Sequence, residues 1–159
     1  MNEPDKHAAS SISALHGQLQ TYHCLCSTLI LTTSHNLDEL SSRAEPVQDG
    51  ALILPLGAHL STSDFVDTDG HTGVDSVMSN VVPDRKAVII RREDGFEKRI
   101  MFRCSRCKLV LGYQLDESHF ETSQPVSRPI YLLPGGLIGT EKMIKGERPE
   151  MPPWAGQTV

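Results

Sequence analysis

All four cysteines of this chain fall in two tight pairs, Cys24-Leu25-Cys26 and Cys104-Ser105-Arg106-Cys107. That arrangement constrains the fold more than any other feature. The second pair has the spacing of a zinc knuckle, which brings two thiolates onto one ion at about 2.3 Å. The first pair has a single intervening residue. Residues i and i+2 of a strand point to the same side, so a bent strand end can still present both sulfurs. Each pair follows a run of strand formers (TYHC, IMFRC) and precedes another (STLIL, KLVLGY). With no cysteine left over, Cys24, Cys26, Cys104 and Cys107 match a closed, structural Zn²⁺ site. The alternatives are two disulfides, four free thiols, or a redox pair at Cys104 and Cys107. A Cys24–Cys26 disulfide would be strained, and the redox reading lacks a helix N-terminus to lower a thiol pKa. His23 precedes Cys24, but strand alternation points it away, so it reads as a surface histidine.

The length of 159 residues suits one modest domain. Aromatics are 5%, so the expected core is aliphatic. Residues 1–18 read as a flexible tail and 19–139 as the zinc-binding β domain. Strand formers dominate Leu19 to Thr33 and Ala51 to Leu56. Residues 57–83, rich in Ser, Asp, Thr and Gly, read as a disordered insertion. Asp94-Gly95 predicts a two-residue type I′ turn between strands at Lys86–Glu93 and Phe96–Cys104. Strand alternation puts Phe96, Ile100, Phe102 and Cys104 on one face with Lys98, and Glu97, Arg99, Met101 and Arg103 on the other. Leu109, Leu111, Tyr113 and Leu115 share one face of a third strand, and Pro129 to Leu133 forms a last one. Residues 140–159, charged and proline-rich, read as a flexible tail that contains Trp154, the single tryptophan.

The net charge of −5 argues against a generic nucleic-acid binder, which carries a basic footprint. The balance is uneven, however. Pro83 to Lys108 holds nine basic residues against four acidic ones. Arg91, Arg92, Lys98, Arg99, Arg103 and Arg106 in this stretch are candidate partner-binding residues. The plainer reading makes them the solvated face of a hairpin. Apolar runs fall short of the roughly 18 residues a membrane span needs, and the N-terminus has no signal-peptide core. An intracellular location follows as the expectation, in the cytoplasm or nucleus. No catalytic residues emerge: no Ser-His-Asp order, phosphate loop or carboxylate pair stands out.

YHCLC at Tyr22–Cys26, REDGFEKR at Arg92–Arg99 and CSRCKLVLGYQ at Cys104–Gln114 resemble the STING ER exit protein (STEEP) family. The second cysteine motif is also similar to the Yippee and Mis18 zinc domains. That resemblance implies a β-tent, an all-β fold of two antiparallel sheets meeting at a Cys₄ zinc site. Family members carry a glycine after each cysteine pair, where Ser27 and Lys108 stand here; glycine eases a left-handed turn at that position. Residues 140–159, short and proline-rich, do not resemble the long basic tail of animal members.

The resemblance implies a non-enzymatic adaptor with structural Zn²⁺ as its cofactor and other proteins as its partners. It further implies trafficking from the endoplasmic reticulum, with any membrane contact peripheral and no small-molecule substrate. The alternative is a spliceosome- or RNA-associated factor, with RNA or a ribonucleoprotein as partner. An enzyme is not expected, because β-tent methionine sulfoxide reductase chemistry needs a cysteine beyond the four ligands.

Overall fold

A computed structural model of the chain describes residues 18–44, 49–56, 76–119, 128–147 and 149–156. Among the described residues ten strands are formed: β1 Gln20–Cys24, β2 Leu29–Thr33, β3 Leu52–Leu54, β4 Ser76–Met78, β5 Val81–Pro83, β6 Val88–Arg92, β7 Gly95–Cys104, β8 Val110–Leu115, β9 Ile130–Leu132 and β10 Leu137–Gly139. One short helix follows, α1 Thr140–Ile144. The strands make two antiparallel sheets, as the β-class expectation requires. One sheet has the order β10-β1-β2-β4; the other runs β3-β9-β8-β7-β5, with β6 also on β7.

One aliphatic core lies between the sheets, built on Ile30, Leu31, Leu54, Leu111, Ile130 and Leu132, with Cys24 and Cys104 buried among them. Tyr22 is its aromatic member. Its hydroxyl donates to Gln20 Oε1 at 2.7 Å and accepts from the Leu37 amide at 3.1 Å. A buried phenol must satisfy its hydroxyl in this way.

Several local expectations are corrected. The stretch 57–83 is not wholly an insertion outside the fold: β4 and β5 occupy 76–78 and 81–83, while 57–75 lies outside the described residues. β4 pairs with β2 of one sheet and β5 with β7 of the other, so this segment staples the two sheets together. Too few apolar residues mark these three-residue strands for a periodic signal. Asn80 makes the crossing, at φ 55°, a conformation Asn tolerates better than most residues. Its side chain donates to Leu29 O at 3.0 Å, and its carbonyl accepts from the Ser105 amide at 2.9 Å.

The hairpin turn is displaced by one residue. Arg92 pairs with Gly95, so Glu93 and Asp94 form the loop in place of Asp94 and Gly95. Neither has a positive φ, which excludes type I′; Gly95 takes the left-handed conformation at φ 142°. Nor is Arg99 part of a solvated face of this hairpin. Glu97 and Arg99 are 7% and 4% exposed, while Phe96 is 69% exposed.

β8 departs from simple alternation too. Its register on β7 jumps from Phe102↔Gly112 to Arg103↔Val110, leaving Leu111 as the extra residue of a bulge. Leu111 therefore joins the core, while Tyr113 lies against the Tyr131 ring at 5.2 Å between centroids. Gly112 is buried between them. A Cβ there would lie inside van der Waals contact of the Tyr131 carbonyl oxygen, so the close approach of β9 requires glycine.

The stretch after Thr140 is structured where described. Besides α1, Pro153–Gly156 forms a 3-10 turn. Trp154 donates from Nε1 to Pro134 O at 3.1 Å and covers the buried Gly136. The Pro134-Gly135-Gly136 turn is thereby a docking point for the chain end.

Candidate functional site

The two cysteine pairs sit at the tips of two hairpins, one from each sheet. Cys24 closes β1, and Cys26 lies in the turn to β2; Cys104 closes β7, and Cys107 lies in the turn to β8. Both turns are built alike. The amide of Ser27 donates to Cys24 O at 2.7 Å, and that of Cys24 to Thr28 O at 2.8 Å. In the second turn, the Lys108 amide donates to Cys104 O at 3.0 Å and the Cys104 amide to Leu109 O at 2.9 Å. Ser27 and Lys108 adopt φ 69° and 65°, the left-handed conformation that glycine would adopt at less cost.

These turns bring all four sulfurs within 4.8 Å of one another. Cys24 Sγ lies 3.4 Å from Cys107 Sγ, and Cys26 Sγ lies 3.7 Å from Cys104 Sγ. A tetrahedron with metal–sulfur bonds of about 2.3 Å has edges of about 3.8 Å, so the spacing fits one ion. It does not fit disulfides, whose sulfurs lie about 2.05 Å apart; all four cysteines are free thiols. The pairing across the two hairpins means that one ion could tie both sheets together.

Local electrostatics differ among the four. Burial pushes the Cys24 thiol well above its ordinary range, and burial likewise raises Cys107. Burial also opposes ionisation of Cys26, but the Thr28 hydroxyl and amide outweigh it, with Cys107 and Cys104 contributing. Its pKa is held down to about 6. Arg106 braces the cluster by donating from Nη1 to Cys26 O at 3.0 Å. His23 is not among the ligands, but it is not a bare surface side chain either. Its Nε2 lies 3.0 Å from Thr140 Oγ1, and Thr140 Oγ1 also bonds Thr21 Oγ1, tying α1 to β1.

The six basic candidates do not form one surface. Arg91, Lys98 and Arg106 are exposed, with Lys98 3.1 Å from Asp116. Arg103 is turned to Asp84, with Nε at 2.8 and 3.0 Å from the two carboxylate oxygens. Arg92 Nε lies 3.4 Å from Glu97 Oε2. Arg99 is buried, with Nη1 3.0 Å from Asp49 Oδ2 and Nε on Glu97 Oε1.

Arg99 belongs to a buried layer of charges and rings that the strand pattern did not reveal. Arg43 reaches across to Glu97 with two parallel bonds of 2.9 Å, the bidentate geometry that makes such pairs strong. It also donates to Tyr113 OH at 2.6 Å, and Tyr113 donates in turn to Asp49 Oδ2 at 2.6 Å. The Arg99 guanidinium stacks 3.8 Å from the Tyr113 ring centroid, and that of Arg43 lies 4.6 Å from the Tyr131 centroid. Burial alone would raise the Glu97 pKa, but the bonds from Arg43 and Arg99 hold it down to about 2. Burial, then the Asp49 carboxylate, pushes Tyr113 well above its usual value. Arg43 and Asp49 come from one segment, fastened by Arg43 N to Ala51 O at 2.8 Å and by a bridge between Ser42 and Leu52. The signal available in the sequence was a Glu-x-Arg on a strand whose partner strand supplies Tyr113.

No helix among the described residues is long and apolar enough to cross a membrane. The family model of the STEEP1 domain matches residues 14–147, a span that takes in both cysteine hairpins, the stapling segment and the buried ionic layer. The chain belongs to the STEEP1 domain family.

Proposed function

We propose that the chain is a non-enzymatic adaptor, folded around one structural Zn²⁺, that works by binding other proteins in trafficking from the endoplasmic reticulum. The observation that carries this reading is the closed sulfur set. Cys24, Cys26, Cys104 and Cys107 converge from both sheets, which uses every cysteine of the chain. Four thiolates fill a tetrahedral zinc and leave no position for a reacting water, the mark of a structural centre. Thiolate ligands and tetrahedral spacing favour zinc over hard cations such as Mg²⁺ or Ca²⁺. We read the meeting of two antiparallel sheets at this point as the β-tent of Yippee and Mis18 zinc domains.

Membership in the STEEP1 domain family supports the trafficking role. The competing role, an RNA-associated factor, draws on the basic hairpin. It loses support because Arg92, Arg99 and Arg103 are directed to Glu97, Asp49 and Asp84 instead of outward. Affinity purification of the tagged chain from cells, followed by mass spectrometry, separates the two. Transport-vesicle or membrane-trafficking proteins are expected; enrichment of splicing factors in their place would overturn the reading.

A further inference from the structure

Strand β7 of the β6–β7 hairpin is built inside out, while Val88 and Ile90 of β6, paired with Arg99 and Glu97, are half-buried. In an ordinary half-buried hairpin the apolar side chains face the core and the charged ones face water. Here the charged side, Glu97 and Arg99, is sealed beneath Arg43, Asp49 and Tyr113. The other side of β7 carries Cys104, Phe102, Ile100, Lys98 and Phe96 in alternation. Exposure along it rises from zero at Cys104 to 69% at Phe96. This apolar side begins in the core at the cysteine cluster and emerges uncovered at the hairpin tip.

The register defines what is exposed there. Ile89 pairs with Lys98, and Arg91 with Phe96. Paired residues of antiparallel strands project to the same side. All four are exposed, Ile89 at 65%. The result is a tile with Ile89 and Phe96 on one diagonal and Arg91 and Lys98 on the other. Arg85 and Lys86, also exposed, lead into β6, and Glu93 and Asp94 at the turn offset part of the charge. β6 is also a sheet edge: among the described residues its one strand partner is β7.

Large apolar side chains grouped on a sheet face beside an open edge mark a site that another chain covers. The charges decide what kind of chain. A second copy stacked on the tile would gather two Arg91 and two Lys98 side chains into one interface, which is unfavourable. An extended segment that sets an apolar residue beside Ile89 and, two residues on, an acidic one beside Arg91 would instead complement the tile, with Lys98 already turned to Asp116 at 3.1 Å. We infer that the exposed side of the β6–β7 hairpin docks an extended, acidic and apolar peptide segment of another protein, laid alongside β6. This rests on the adaptor reading above and gives it an address and a partner chemistry. Strand addition supplies main-chain hydrogen bonds at such an edge, and alternate side chains supply the selectivity.

The test uses the full chain and a fluorescein-labelled peptide of about eight residues, Ser-Val-Ser-Glu repeated, which sets Val and Glu in turn along one face and is long enough to span β6. Fluorescence anisotropy should show binding that weakens with added salt, as charge pairing in solvent requires. Ile89→Ser and Arg91→Glu should each weaken it at least tenfold, with circular dichroism unchanged. A Lys/Val peptide should not bind. Absence of Glu/Val binding, equal binding by the variants, or preferential binding of an oligouridylate at the same residues would each overturn the assignment. A partner retained by the Ile89→Ser/Arg91→Glu double variant in the cellular purification overturns the hairpin site and leaves the adaptor reading standing. Recovery of no partner by the unaltered chain is the failure of the adaptor reading itself.

Discussion

Replacing Glu97 by Gln removes one negative charge from the middle of the buried layer and changes almost nothing in shape. Glu97 receives two bonds from Arg43 and one from Arg99, and its side chain is 10% exposed. A carboxylate held at about 2 instead of an ordinary 4.5 contributes about 3 kcal/mol at neutral pH, at roughly 1.4 kcal/mol for each pH unit between the two values. Removing one partner of a buried ion pair costs about 3–5 kcal/mol in other proteins, so the two routes agree. Glu97→Gln should therefore lower stability by about 3 kcal/mol, or about 10 °C in melting temperature for a domain of this size. The pH dependence has a definite sign. The folded-state value lies below the unfolded one, so the contribution is complete above about pH 4.5 and fades as the pH falls towards 2. Urea titrations of both chains across this range give the difference directly, and any acid sensitivity of the cysteine cluster is common to both and cancels. A loss below about 1 kcal/mol at pH 7, or a difference that does not shrink in acid, would refute the reasoning.

Arg99→Glu should cost more than Glu97→Gln, because it sets three carboxylates together beneath Tyr113. Arg91→Glu should stay within about 0.5 kcal/mol of the unaltered chain, as exposed charges do; thermal melts compare them. Gly112→Ala should destabilise by about 1–3 kcal/mol, the usual cost of overpacking, because its methyl group meets the Tyr131 carbonyl; loss of amide protection in β9 would locate the strain. Ser27→Gly should raise stability by up to about 1 kcal/mol by relieving φ 69°, and an unchanged melt would show that the Ser27 turn carries no strain.

The cysteine cluster was legible because ligand spacing is local. Cys-x-Cys and Cys-x-x-Cys each fix a turn, and four thiols in two turns can satisfy only one tetrahedron. The turns at Ser27 and Lys108 were legible for the same reason, and both residues take the left-handed conformation that favours glycine. The hairpin was found but slipped by one residue, because Asp-Gly also suits a turn in which Gly follows the two loop residues. The burial of its Glu97 and Arg99 was not legible. Whether Glu97 and Arg99 face water or protein depends on Arg43 and Asp49, roughly fifty residues away in the chain, and alternation within β7 carries no information about them. The bulge at Leu111 broke the same rule in β8. β4, β5 and α1 have three to five residues each, too few for any period to rise above composition.

The central claim is that one Zn²⁺ ties the two sheets together and supplies much of the folding free energy. Structural zinc binds finger peptides with an apparent free energy of about 10–16 kcal/mol, comparable with the roughly 5–15 kcal/mol stability of a whole domain. The most direct measurement is elemental analysis of the purified chain, paired with circular dichroism of the same sample before and after chelation and of Cys104→Ser. One zinc per chain is predicted, with cooperative loss of the sheet signal on chelation and an equal loss in Cys104→Ser. A metal-free chain, or a Cys104→Ser chain that melts cooperatively within a few degrees of the unaltered protein, would contradict the account.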